Sequence, residues 1–346
     1  MIRVTNELLG NWTEYTLTND NGISVSVLDF GGIITKIMIP DKTGRLENIV
    51  LGYKNYQEYR TNPNYFGAII GRVAGRIKEA SFELDGSTYN LEANNGENHL
   101  HGGPGGFHQL IWKVSPFEKE TEAGLKLTIK SHDGDSGYPG NLDVTVTYTL
   151  NDQDQLIIDY LATSDQTTPL TLTNHSYFNL SGNLKNTIHD HRVTMNSSKY
   201  VELDESLIPT GKLADVEGTP FDFRSGRSLS TGLENNFEQN KIVGNGYDHY
   251  FVLEDSSEFQ AIIEDANSGR KMSVITNQPG MVMYTANALE DGLELAEGIS
   301  RKHHGVCFET QGSPASLHND HLPGILLKPG EPYQKQTTFT FTVIKR

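Results

Sequence analysis

Five short stretches of this 346-residue chain hold side chains that could do chemistry. In Thr171-Leu-Thr-Asn-His-Ser-Tyr-Phe-Asn-Leu180 the two-residue strand period sends Leu170 and Leu172 one way and Thr171 and Thr173 the other. If the period continues, His175 and Tyr177 fall on the threonine side, away from the core layer, where a stiff β-branched strand would position a proton donor. Val306-Cys-Phe-Glu-Thr-Gln311 alternates too, with Val306 and Phe308 on one side and Cys307, Glu309 and Gln311 on the other. A glutamate in so apolar a strand is costly to bury without a partner, and with a raised pKa it could act as a base.

Asn98-His-Leu-His-Gly-Gly103 puts His99 and His101 two apart, on one face if the segment is extended. A His-x-His pair suggests a metal, but no further ligand stands at a telling spacing, and catalytic ions need three or more. The glycines after His101 suit a sharp turn or close approach of a ligand to the backbone, and no phosphate loop is spelled. Gly71-Arg-Val-Ala-Gly-Arg76 offers Arg72 and Arg76, either as salt-bridge partners of acids or as donor forks for sugar hydroxyls. Asp248, before His249, could receive neighbouring sugar hydroxyls or simply close a turn. His303, His304, His318 and His321 read as surface residues, and His108, His132, His189 and His191 as solvated loop positions.

The elements that must carry these residues are almost all strands. Period-two alternation runs through residues 23–28 and 33–39, through 125–129 and 144–150, and again through 338–343. Asp85-Gly86 joins residues 80–84 to 87–91 as a tight hairpin, and residues 151–155 lead into another strand. Residues 55–62 suit a turn of helix. Many short strands, turn signals between them and few helices predict an all-β fold, a large antiparallel β-sandwich. No linker marks a firm boundary, residues 181–245 being the weakest candidate, so one domain over 1–346 is expected.

Composition narrows the function. Hydrophobic residues at 36% and charged residues at 21% describe a soluble globular protein, and a net charge of -16 disfavours nucleic acid and anionic membranes as partners. The lone Cys307 allows no internal disulfide, and neither a leader nor an apolar run long enough to span a bilayer is spelled, so a cytoplasmic protein is expected.

Together the segments GRVAGRI at 71–77, NHLHGG at 98–103, GYPG at 137–140, NHSYFNL at 174–180, the Asp248 stretch and FETQ at 308–311 resemble the galactose mutarotase (aldose 1-epimerase) family, in order and spacing, over nearly the whole chain. The resemblance implies a mutarotase-like supersandwich that interconverts the anomers of free hexoses such as D-galactose and D-glucose. It implies Glu309 as general base, His175 as general acid and His101 as a second histidine near the ring oxygen. Arg76 and Asp248 match positions that bind sugar hydroxyls, whereas Arg72 matches none, and Gly75 replaces an asparagine common in the family. Tyr284 or Phe66 is the aromatic expected against the sugar. Neither metal nor organic cofactor is implied, and the expected partner is a small sugar, with the chain a monomer or homodimer. Since an ordinary histidine, at a pKa of about 6.5, is mostly neutral at pH 7, nearby Glu309 is expected to favour the charged imidazole.

Overall fold

The computed structural model describes residues 2–255 and 258–344. Alternation becomes three large antiparallel sheets. The first is a meander of five strands in chain order, from Arg3–Leu9 to Leu46–Asn48, and its first two strands lie outside the stretches that alternation predicts. The second has nine strands, with Glu122–Ser131, Leu142–Asn151, Gln155–Ser164 and Tyr333–Val343 at its centre. The third has six, in the order Tyr177–Phe178, Val306–Gln311, Gly280–Tyr284, Asp248–Val252, Lys199–Leu203 and Pro209–Asp215. Among the described residues the α-helices are two short ones, Ser230–Leu233 and Glu238–Ile242, and no helix is long and apolar enough to cross a membrane.

The main core lies where inward rows of all three sheets meet. Val25 and Ile37 come from the first sheet, Leu127, Val146 and Phe339 from the second, and Met283 and Phe308 from the third. Burying such rows is the chief favourable term in folding. The Asp85-Gly86 hairpin forms as expected, with Leu84 opposite Ser87 and φ of +50° and +77° at the two turn residues. Residues 56–60 make a single 3₁₀ turn. Residues 181–245 supply strands to both larger sheets, Arg192–Met195 to the second and Lys199–Leu203 to the third.

The third sheet buries one face in the core and gives the other to a cavity, which is how the site is positioned. Met281 and Met283 face inward while Val282 and Tyr284 line the cavity. Register then fixes neighbours: Tyr284 stands opposite both Asp248 and Cys307, Cys307 also opposite Tyr177, and Val282 opposite Glu309.

Candidate active site

The cavity has a volume of about 520 Å³ and is lined by His101, His175, Glu309, Arg76, Asp248 and Tyr284 among others. Each arrives by a local rule. Leu170 and Leu172 turn into the core, so the same strand period carries His175 and Tyr177 to the cavity side. Val306 and Phe308 do the same for Glu309 and Gln311. His101 is delivered by a turn, with φ of +53°, +82° and +76° at His101, Gly102 and Gly103. A Cβ on Gly102 would stand 1.9 Å from the carbonyl oxygen of Gly71, so here glycine serves close packing of two backbones.

That turn also separates the two histidines that extended geometry would have paired. His99 turns toward Tyr138, its ring 5.4 Å from that ring, with Nδ1 2.7 Å from the carbonyl oxygen of Glu92. His101 instead meets His175 edge-on at 5.3 Å. Its Nδ1 accepts the backbone N–H of Gly75 at 3.1 Å, so in the neutral ring the proton sits on Nε2.

His175 and Glu309 stand together. Nε2 of the imidazole is 3.6 Å from Oε1 of the carboxyl, both groups are buried, and Tyr65 and Tyr177 lie nearly parallel to the imidazole at 5.9 and 5.1 Å. The gap is too long for a direct hydrogen bond. Burial, with Asp248 nearby, pushes the Glu309 carboxyl well above the usual carboxylate range, while Arg76 opposes the shift. Burial also pulls His175 down to about 4 and His101 well below its ordinary value. This corrects the expectation of a charged imidazole, because loss of solvent outweighs the neighbouring carboxyl. Of the two groups in the free site, Glu309 therefore holds a proton the more tightly.

Arg76 and Asp248 form the polar end. Nη1 lies 3.6 Å from Oδ2 of Asp248, and Nε donates to Oδ1 of Asn95 at 2.9 Å. Burial raises the Asp248 carboxyl to about 6 against the pull of Arg76. Arg72 lies elsewhere: it is buried, donates to the carbonyls of Pro139 and His132 and to the Ser131 hydroxyl, and sits over the Tyr138 ring, so it holds the GYPG turn.

Of the two aromatic candidates Tyr284 lines the cavity and Phe66 does not. Phe66 is fully buried against Tyr53 and Tyr177. Its neighbour Tyr65 is the ring that reaches the cavity, thrown outward by a φ of +55° in a loop that the Asn62 side chain closes on the N–H and carbonyl of Phe66. Tyr65, Asn95 and Gln311 also line the cavity, and of these only Gln311 carries a signal in the sequence, the alternation around Glu309. The expectation of surface or solvated histidines is corrected at His303, His304, His108 and His191, all buried. Polar loops fold over the sheets there, and His191 accepts the N–H of Leu180 at 2.8 Å.

His101, His175 and Glu309 bring ligand atoms within 4.8 Å of one another, close enough to consider a metal ion. The hydrogen bond from Gly75 argues against it, since a ring that accepts at Nδ1 carries hydrogen on the very nitrogen that would have to coordinate. The donor set suits proton transfer and hydrogen-bond donation to a bound oxygen.

The aldose 1-epimerase family model matches residues 13–340. The chain belongs to the aldose 1-epimerase family. Its chemistry is therefore that of an isomerase. It is 41% identical to a galactose mutarotase from Sus scrofa, across 99% of this chain and 100% of that one. It is 32% identical to an aldose 1-epimerase from Escherichia coli (strain K12), across 94% of each. The solved galactose 1-epimerase from Lactobacillus acidophilus NCFM superposes with a TM-score of 0.87 at 29% identity, covering 99% of both chains.

Proposed function

We propose that this epimerase interconverts the α and β anomers of free hexoses, D-galactose and D-glucose foremost, by general acid–base ring opening at His175 and Glu309. The observation that carries the reading is the pair itself, two oppositely tuned proton carriers 3.6 Å apart in a buried sugar-sized cavity. With sugar bound, the proton of the pair passes from Glu309 to Nε2 of His175, and in the opening step the Glu309 carboxylate takes the proton of the C1 hydroxyl. The freed O–H electron pair becomes the second bond of the C1 carbonyl as the C1–O5 bond breaks. His175 donates its proton to O5, and His101 offers its Nε2–H to the same oxygen. Rotation about C1–C2 presents the other carbonyl face, and O5 closes on it as both protons return.

The proton count fits the site. After opening, the proton rests on Glu309 and the imidazole is neutral, the distribution that burial favours in the free cavity. Opening thus returns the pair to the neutral state that burial favours, so the open-chain sugar is formed without leaving separated charges in the cavity. Arg76 and Asp248 would receive ring hydroxyls, with Tyr284 or Tyr65 against the apolar face of the sugar. Among the described residues lining the cavity Arg76 is the only Lys or Arg, beside Glu58, Asp248, Glu290 and Glu309, which disfavours a sugar phosphate.

Polarimetry of freshly dissolved α-D-galactose tests the reading, with the protein kept in chelator throughout. Wild type is expected to speed the approach to equilibrium rotation, and folded Glu309→Gln and His175→Asn to lose that rate by roughly 10²–10⁴-fold. Retention of most activity by either variant would overturn its role, and abolition of wild-type activity by chelation would restore the metal reading.

A further inference from the structure

Strand Val306–Gln311 reaches His175 twice. Glu309 approaches one ring nitrogen, Nε2, at 3.6 Å. Two residues earlier on the same face, Cys307 places Sγ 3.6 Å from the other, Nδ1. That distance lies within hydrogen-bond range for sulfur, and the thiol is wholly buried beside Tyr177 and Tyr284. Strand pleat alone makes this possible, because residues i and i+2 point to one side about two rises apart.

We propose that Cys307 is a positioning residue for the epimerase reaction, its neutral sulfur accepting Nδ1–H of His175 and so keeping the proton of the neutral imidazole on Nδ1, which leaves Nε2, the nitrogen that faces Glu309 and the sugar, free to take up and return the transferred proton. When His175 takes its second proton at Nε2, Nδ1–H goes on donating to the sulfur. A thiol sulfur can serve as such a weak acceptor. The imidazole therefore cycles through its charged form without stranding a buried nitrogen. Burial keeps this thiol protonated, so no thiolate competes with Glu309 for the proton. The other groups facing the ring are the His101 and His108 imidazoles, neutral by burial, and the phenols of Tyr65, Tyr177 and Tyr284. Tyr65 and Tyr177 stack on the ring and Tyr284 meets it edge-on, so among the described residues Cys307 is the side chain within hydrogen-bond range of Nδ1.

The inference rests on His175 exchanging a proton with substrate, so three variants are compared: Cys307→Ala, Cys307→Ser and His175→Asn. With ¹⁵N-histidine-labelled protein, the His175 signal, assigned by its loss in His175→Asn, is expected to show the Nδ1–H tautomer in wild type and in Cys307→Ser. In Cys307→Ala it is expected to show both tautomers, with kcat about tenfold lower, KM little changed and the His175 limb of the pH–rate profile displaced. Cys307→Ser, which keeps an acceptor at the position, is expected to recover most of the rate. An Nε2–H tautomer in wild type overturns the proposal, as does a Cys307→Ala protein with wild-type kcat, pH profile and histidine spectrum. Full activity in His175→Asn would instead remove the acid–base reading beneath it.

Discussion

Burial pushes a carboxyl and an imidazole in opposite directions, and this site uses the difference four times. Glu309 and Asp248 are raised while His175 and His101 are lowered, each chiefly by loss of solvent. Burial brings the Asp248 carboxyl up to about 6, within reach of the physiological range. Above that value it is an ionised acceptor for sugar hydroxyls, and below it a neutral acid that accepts less well. Free-enzyme kcat/KM is therefore expected to fall as pH drops through about 6 and to fall again near 4, where His175 takes a proton while Glu309 already holds one. Asp248→Asn should lower kcat/KM by roughly 10–100-fold, the worth of a hydrogen bond to a charged group, and should erase the upper step while keeping the lower. Initial rates by polarimetry across the acid range decide it; a step near 6 that survives in Asp248→Asn assigns that step to another group.

At the scale of elements, the strands that carry chemistry were legible because core-facing residues and reactive ones share one period. Leu170 and Leu172 commit His175 to the opposite side, and Val306 and Phe308 commit Glu309. Loops were less legible. The positive φ at His101, which divides it from His99, and at Tyr65, which chooses that ring over Phe66, leaves no periodic trace. Buried loop histidines such as His108 and His191 look solvated in sequence because their neighbours are polar. Nor could sequence join helix Glu238–Ile242 to the site. The carboxamide of Gln239 takes the N–H of Leu203 at 2.8 Å and donates to its carbonyl at 3.0 Å, while Nε2 of His249 lies 3.0 Å from the same carboxamide oxygen. His249 in turn accepts the N–H of Asp248 at 3.2 Å through Nδ1. One side chain thus ties the strand of Asp248 to the hairpin whose Leu203, Leu207 and Pro209 wall the cavity. Gln239→Leu should raise KM for galactose about tenfold with kcat within about twofold, since it loosens the wall without touching the proton carriers. An unchanged KM in a folded variant would show that the hairpin holds its place unaided.

For the whole molecule the question is what keeps three sheets in register around one cavity. Much of the answer is apolar, but the junction of the sheets holds a charge. Arg270, at the start of a strand of the nine-stranded sheet, is 1% exposed and donates to Oε2 of Glu47 at 2.9 Å, on the five-stranded sheet. The same guanidinium reaches the carbonyls of Ile39, Leu180 and Ser181, the last two just beyond strand Tyr177–Phe178 of the third sheet. Lys185 covers the other carboxyl oxygen of Glu47. Replacing Arg270 by Met leaves a buried carboxylate with Lys185 alone and takes a donor from the carbonyls of Ile39, Leu180 and Ser181, a loss of roughly 3–5 kcal/mol for breaking such a pair from one side. Denaturant titration should show that loss as a lower midpoint with an unchanged slope. Because neither Arg270 nor Glu47 lines the cavity, the folded variant should keep wild-type kcat and KM. Adding Glu47→Gln should cost less than the sum of the two single changes, since one removal relieves the charge left by the other. A single Arg270→Met loss below about 1 kcal/mol would mean that apolar packing alone holds the junction, with the ion pair contributing nothing measurable.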